Sequence, residues 1–303
     1  MKRLLIFIFL ASLIIFFVFQ ISSRRSFAPS HSDKLQVSAT IYPLAYFAQE
    51  IGLDKIQVTQ ITPPGIEPHD FEPKPQDLAT VFQTKVFIKN GLGLEPWTEK
   101  IKLDLTNRGV VVVSASDNIT PLTKNGQPDP HLWLDPSTAV HIVQNIRDGL
   151  IIADPENHAF YQANADSLIA KLERLALLYR SGLSDCRQDT IVASHGVFGY
   201  LEQAYAFHQD TLAGLSPDEE PPTQKIARLV SLIKTKDIKY ILTETLLSPK
   251  LSETISGETG AVVLVFNPLE SLTQSEVERH EDYFTIQEKN IKILNTALQC
   301  TPI

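Results

Sequence analysis

Cysteine is almost missing from this chain, with only Cys186 and Cys300 among 303 residues. Neither stands near the N-terminus, so no cysteine is placed there to carry a lipid. In an oxidising compartment the two can form one disulfide, tying the C-terminal tail to the segment before Thr190; two unpaired thiols are the alternative. Positive charge is also in deficit, at 27 Lys and Arg against 35 Asp and Glu, a net charge of -8. That balance argues against a nucleic-acid partner and is compatible with cations. No G-x-x-x-x-G-K-[ST] loop is present, so the chain supplies no ATPase, and no H-E-x-x-H pair is present, which removes one common protease pattern. Repeats at solenoid periods and low-complexity tracts are absent as well.

Long apolar runs are confined to one, from Leu4 to Ile21, preceded by Lys2 and Arg3 and followed by Arg24 and Arg25. A basic start and an apolar stretch make an export signal. At about 18 residues the run is also just long enough to span a bilayer. Residues 1–25 are therefore read as a signal peptide or an N-terminal anchor. The expected address is the periplasm, reached either as a released protein or as one held at the inner membrane.

The rest of the chain, from about Ser32, is soluble in character and long enough for two modest domains. An apolar fraction of 43% and a charged fraction of 20% are ordinary for a packed protein. Short β-branched runs alternate with helical patterns, which signals parallel sheets under covering helices. Strands are expected at Gln36 to Ile41, Lys55 to Thr62, Lys85 to Lys89 and Val110 to Ser114, with helices at Pro43 to Ile51 and Pro75 to Thr84. A second series has strands at Thr190 to Ser194, Tyr240 to Thr243 and Ala261 to Phe266. Its helices fall at Val197 to Ala206, Thr223 to Thr235 and Pro249 to Thr259.

Between the two series, Asn157 to Leu183 carries Phe160, Ala163, Leu168, Leu172, Leu175 and Leu178 in a helical rhythm closed by Gly182. The expectation is an α/β protein of two lobes, residues 32–155 and 185–303, joined by one long rigid helix over 156–184.

Three of the eight histidines sit in short stretches rich in proline, glycine or acidic residues: Glu67-Pro68-His69-Asp70, Asp129-Pro130-His131-Leu132-Trp133-Leu134-Asp135-Pro136 and Ser194-His195-Gly196. Imidazole is the commonest protein ligand for zinc. Ligands of open α/β sheets bind beyond the carboxyl ends of the strands. His69 follows the second expected strand, His195 immediately follows a strand of the second series, and His131 precedes a helix that Asp135 or Ser137 would cap. All three can thus face one cleft between lobes. His141, His158, His208 and His280 fall within or beside expected helices and are read as structural or solvated, and His31 lies in the N-terminal stretch.

These three phrases, together with Asn267-Pro268-Leu269-Glu270, resemble the four site motifs of the zinc-binding solute-binding proteins of ABC transporters, part of a zinc/manganese-type family. The similarity runs in order from about Ala39 to the C-terminus and includes Gly91-Leu92-Gly93-Leu94-Glu95-Pro96-Trp97 and Glu244-Thr245-Leu246-Leu247-Ser248-Pro249-Lys250. It implies two α/β lobes on one rigid helix with the metal between them.

The resemblance also makes His69, His131 and His195 ligands of Zn2+, with Glu270 as the fourth. Asn267, which stands where some relatives carry aspartate, and water are the alternatives at that position. An ionised carboxylate is the better zinc ligand. Glu67 is expected either to hydrogen-bond a ligating ring or to be a solvated charge. Glu244 and Trp133 are expected to pack or support.

Three nitrogens and one carboxylate suit zinc better than manganese, and manganese-type relatives tend to carry glutamate where this chain has His195. The segment Ser116 to Gln127 is short and has no histidine, unlike the long histidine-rich loop of many relatives. The function implied is extracytoplasmic capture of zinc by a monomer, with no catalysis, and delivery to an inner-membrane permease. The alternatives are a zinc hydrolase or hydratase using three histidines and a water, a manganese-type transport protein, and a metal-stabilised adhesin.

Overall fold

The computed structural model describes residues 34–301; the expected signal or anchor and His31 lie outside them. From Leu35 onward the described residues form one compact unit. Its first half contains β1 (Leu35–Ala39), α1 (Tyr42–Gly52), β2 (Ile56–Gln60), α2 (Pro75–Val81), β3 (Val86–Lys89), α3 (Trp97–Asn107) and β4 (Val111–Ser114). A small hairpin of β5 (Thr123–Lys124) and β6 (Gln127–Pro128) follows. Then come α4 (Pro136–Ala153) and the long α5 (His158–Gly182). The second half contains β7 (Thr190–Ala193), α6 (Gly199–Tyr205), β8 (His208–Thr211), α7 (Thr223–Lys236), β9 (Tyr240–Glu244), α8 (Lys250–Thr259), β10 (Val262–Phe266), α9 (Gln274–Glu278) and α10 (Tyr283–Leu298).

The two four-stranded sheets are parallel throughout, in the orders β2-β1-β3-β4 and β8-β7-β9-β10. Numbered within each half, both orders read second, first, third, fourth, so the halves repeat one topology. In each, the chain reverses its direction of winding between the first and third strands, where open α/β sheets bind ligands. Strands β3 (VFIK) and β7 (TIVA) are buried at every position, as strands covered by helices on both faces must be.

β8 departs from the sequence expectation. Its residues, His-Gln-Asp-Thr, form no apolar run, and an edge position with one pairing neighbour tolerates that polarity. His208, expected beside a helix, therefore opens a strand.

The joining helix α5 ends at Gly182 as its sequence indicates, but the buried stripe is shifted. Tyr161, Ala165, Leu168, Leu172, Leu175, Tyr179 and Gly182 face inward, a 4,3 alternation that keeps one face inside. Ala163 and Leu178 point to solvent. α5 packs on α1 and α4 beside the first sheet and on α10 beside the second. A single apolar cluster consequently runs from Val37 and Ile88 through Leu172 and Leu294 to Ile191, Leu242 and Phe266.

Cys186 and Cys300 are joined by a disulfide at the amino end of β7, the end away from the residues that follow the strand. Among the described residues no helix is long and apolar enough to cross a membrane.

Candidate metal centre

Each of the expected site residues sits where local chemistry stiffens the chain. His69 lies in a single 3-10 turn, Pro68–Asp70, that Glu67 caps by accepting the His69 backbone N–H at 3.2 Å. His131 precedes a second such turn, Leu132–Leu134, which runs into α4 through the cap Asp135 and the first-position proline Pro136. The carboxylate of Asp129 accepts from both the backbone N–H of His131, at 3.0 Å, and its ring Nδ1, at 2.7 Å.

His195 stands two residues beyond Ala193, and Glu244 two beyond Leu242, its pairing partner. The parallel register therefore sets the two side by side, and the His195 Nδ1 donates to Glu244 Oε1 at 2.8 Å. Gly196 is needed next to it: its N–H donates to the carbonyl of Gly214 at 2.7 Å, and a Cβ there would stand 2.8 Å from that same oxygen.

With their Nδ1 atoms held, His131 and His195 turn Nε2 inward, and His69 does the same. The three Nε2 atoms lie 3.6 Å (His69), 3.3 Å (His131) and 3.6 Å (His195) from one oxygen, Oε1 of Glu270. Nε2 of His69 is 3.3 Å from Nε2 of His131, and the four donor atoms all lie within 4.8 Å of one another. A tetrahedron around zinc with bonds of about 2.0–2.1 Å has edges of roughly 3.3–3.4 Å. Most of the measured separations are close to that length.

Most of the site is also buried. His131, His195 and Glu270 are fully buried, yet Nε2 of His195 and both oxygens of Glu270 have no hydrogen-bond partner. A buried carboxylate left so is costly unless a cation compensates it.

The electrostatics fit the same reading. Burial opposes charge on every group here, and neighbours decide the outcome. For Glu270 burial is outweighed by His131, His195 and His69, which hold its carboxyl well below the usual range. For His195 burial is outweighed by Glu244 and Glu270, which lift it to about 10. His131 moves up in the same way, through Asp129 and Glu270. His69 moves down, because burial prevails over Glu270. Glu67 is pushed up to about 9 by burial and by the charge of Glu270. The two raised imidazoles, His131 and His195, beside one carboxylate hold protons where a metal ion would displace them.

The structure thus brings together His69, His131, His195 and Glu270 and leaves the other described histidines, His141, His158, His208 and His280, exposed. The amide of Asn267 is engaged within its own loop. Its Oδ1 accepts from the backbone N–H of Leu269 and its amide donates to Glu276, so it shapes the loop that carries Glu270. Glu67 bonds the backbone of His69 rather than its ring. Asp129, the partner of the His131 ring, carries no assignment from sequence; its place two residues before a candidate ligand was the available signal. A groove of about 520 Å³, bounded by Leu92, Pro128, Pro130 and Leu215, reaches His69 from outside.

A family model described as the periplasmic component A of a zinc-uptake complex matches residues 37–297. The high-affinity zinc uptake system protein ZnuA of Bacillus subtilis (strain 168) is 33% identical over 292 residues, covering 91% of this chain and 92% of that protein. The zinc-binding lipoprotein AdcA of Streptococcus pneumoniae (serotype 4) is 32% identical over 300 residues, 94% of this chain but only 59% of AdcA. The chain therefore spans about three-fifths of the AdcA length. Among solved structures, the Zn(II)-bound ZnuA-like domain of that AdcA superposes with a TM-score of 0.79 at 34% identity, covering 88% of this chain and 99% of the domain. The laminin-binding protein Lmb of Streptococcus agalactiae, described as bifunctional in adhesion and metal transport, gives 0.80 at 26% identity, covering 88% and 99%.

Proposed function

We propose, from the premise that this chain belongs to the family of periplasmic zinc-uptake components A, that it captures Zn2+ outside the inner membrane for an ABC importer, with His69, His131, His195 and Glu270 as the ligands. The family is one of transport components, not of enzymes. Four converging donors within 4.8 Å of one another, three of them fully buried and one a carboxylate without a hydrogen-bond partner, are the observation that carries the ligand assignment. A protein carboxylate in the fourth position leaves no place for the activated water a hydrolase needs. Three nitrogens and one oxygen favour zinc over manganese, whose sites prefer more oxygen.

Asp129 and Glu244, on the outer nitrogens of two of the imidazoles, fix the tautomer that offers Nε2 to the metal. In this reading residues 32–155 and 185–303 act as two lobes on a 156–184 rod, the protein works as a monomer, and it hands the ion to a membrane permease.

Zinc titration against a competing chelator tests the assignment. One zinc per chain is expected, with a large loss of affinity in each of His69→Ala, His131→Ala and His195→Ala. Unchanged affinity in two of the three would overturn it. Glu270→Ala should cost less, since water can take the vacated position.

A further inference from the structure

Two segments far apart in sequence bring His131 and Glu270 to the centre, and one side chain touches both. Trp133 is fully buried. Its ring packs edge-on against His131, with centroids 5.5 Å apart. Its indole N–H donates across to the carbonyl of Pro268 at 2.8 Å, two residues before Glu270.

The Glu270 loop has a conformation that calls for such support. Leu269 is held at φ +61°, in the left-handed region that a branched side chain disfavours. Pro268 has its own φ fixed by its ring. The Leu269 N–H is taken by Asn267 Oδ1 at 2.7 Å, and the buried carbonyl of Pro268 is taken by Trp133. Without the indole that carbonyl would be a buried acceptor with no donor, and such groups are costly.

The other side of the bridge is anchored as well. The carbonyl of Trp133 accepts from the Tyr283 hydroxyl at 2.6 Å, and the carbonyl of Leu134 accepts from Gln287 Nε2 at 3.0 Å, both donors belonging to α10. The 3-10 turn after His131 is therefore fastened to the second half of the molecule at three points.

We propose that Trp133 is a positioning residue whose indole N–H sets Glu270 at ligand distance before zinc arrives, acting on the carboxylate through Pro268 and the strained Leu269. This deepens the ligand reading above and rests on it. The indole N–H matters for where the carboxylate points, not merely for filling space.

The experiment is a double-mutant cycle read by zinc affinity and zinc release rate. Trp133→Phe keeps an aromatic ring and removes the donor. It should weaken zinc binding about tenfold, mostly through faster release, while in a Glu270→Ala background the same change should shift affinity by less than about twofold. Equal loss in both backgrounds would mean that Trp133 supports the fold in general, and would overturn the proposal, as would an unchanged affinity in the single variant.

Should Trp133→Phe fail to fold, replacement of Trp133 by benzothienylalanine, which has sulfur in place of the N–H in a ring of nearly the same shape, gives the same cycle. If Glu270→Ala alone leaves affinity unchanged, the ligand assignment falls and the role of Trp133 with it. If Glu270→Ala weakens binding and Trp133→Phe does not, only the role of Trp133 falls.

Discussion

Exchanging Glu244 for glutamine would keep an acceptor beside His195 Nδ1 and remove the charge that orients and enriches the ring. Loss of such an outer partner typically costs 10–100-fold in metal affinity, so Glu244→Gln and Asp129→Asn are each expected to weaken zinc by at least about tenfold with the fold intact. Competition titration with circular dichroism as control checks this. Protonation gives a second test. A zinc ligand must be an unprotonated nitrogen. His195 is lifted to about 10, against burial, by Glu244 and Glu270, so below that pH it holds a proton which zinc must displace. Affinity should therefore rise with pH across the neutral range and fall as pH drops. At pH 7, calorimetry in two buffers of different ionisation enthalpy should report about one or more protons released per zinc. A binding enthalpy independent of buffer would contradict the raised imidazoles.

Among elements, α5 has the most to lose from one substitution. Leu172 lies at its centre, fully buried, in the cluster that joins both sheets. Leu172→Ala is expected to destabilise the protein by about 2–5 kcal/mol, measured by urea unfolding, with zinc affinity nearly unchanged because no ligand sits on α5. Leu177→Ala, at a position 64% exposed on the same helix, should cost well under 1 kcal/mol, about the range for surface sites. The helical rhythm of this segment was legible because a 3.6-residue period imprints itself on composition. Its phase was less so: Phe160, Ala163 and Leu178 read as apolar as their buried neighbours, and only packing against α1, α4 and α10 selects Tyr161, Ala165 and Tyr179 instead. β8 was illegible for the opposite reason, since its four polar residues are strand by pairing with β7 alone.

At the scale of the whole molecule, one core beneath two sheets means that the halves are packed into each other and not merely tethered. Zinc bound to donors from both halves should stabilise the fold by mass action. At a free concentration 100 times its dissociation constant this amounts to about 2.7 kcal/mol, visible as a rise in Tm that a chelator reverses. The disulfide closes a loop between residues 114 positions apart. Reducing it, or replacing both cysteines with serine, should cost about 2–4 kcal/mol of stability, while zinc affinity stays within about twofold because the bridge lies at the end of β7 opposite His195. A parallel loss of affinity would show that the bridge also governs the site.

The sequence alone determined the alternation of strands and helices and the long joining helix, and it singled out His69, His131 and His195 as candidate ligands while leaving Glu270, Asn267 or water for the fourth position. Periodicity, prolines beside histidines and a family's motif order are all local properties of the chain. Tertiary structure decided which nitrogen of the His131 and His195 rings faces inward, because that choice rests on Asp129 two residues away and on Glu244 across a strand register. It also engaged the amide of Asn267 within its own loop, and it linked Trp133 to Pro268 across 135 positions of sequence. Distances between ligands depend on packing between segments remote in sequence, and no local pattern encodes them.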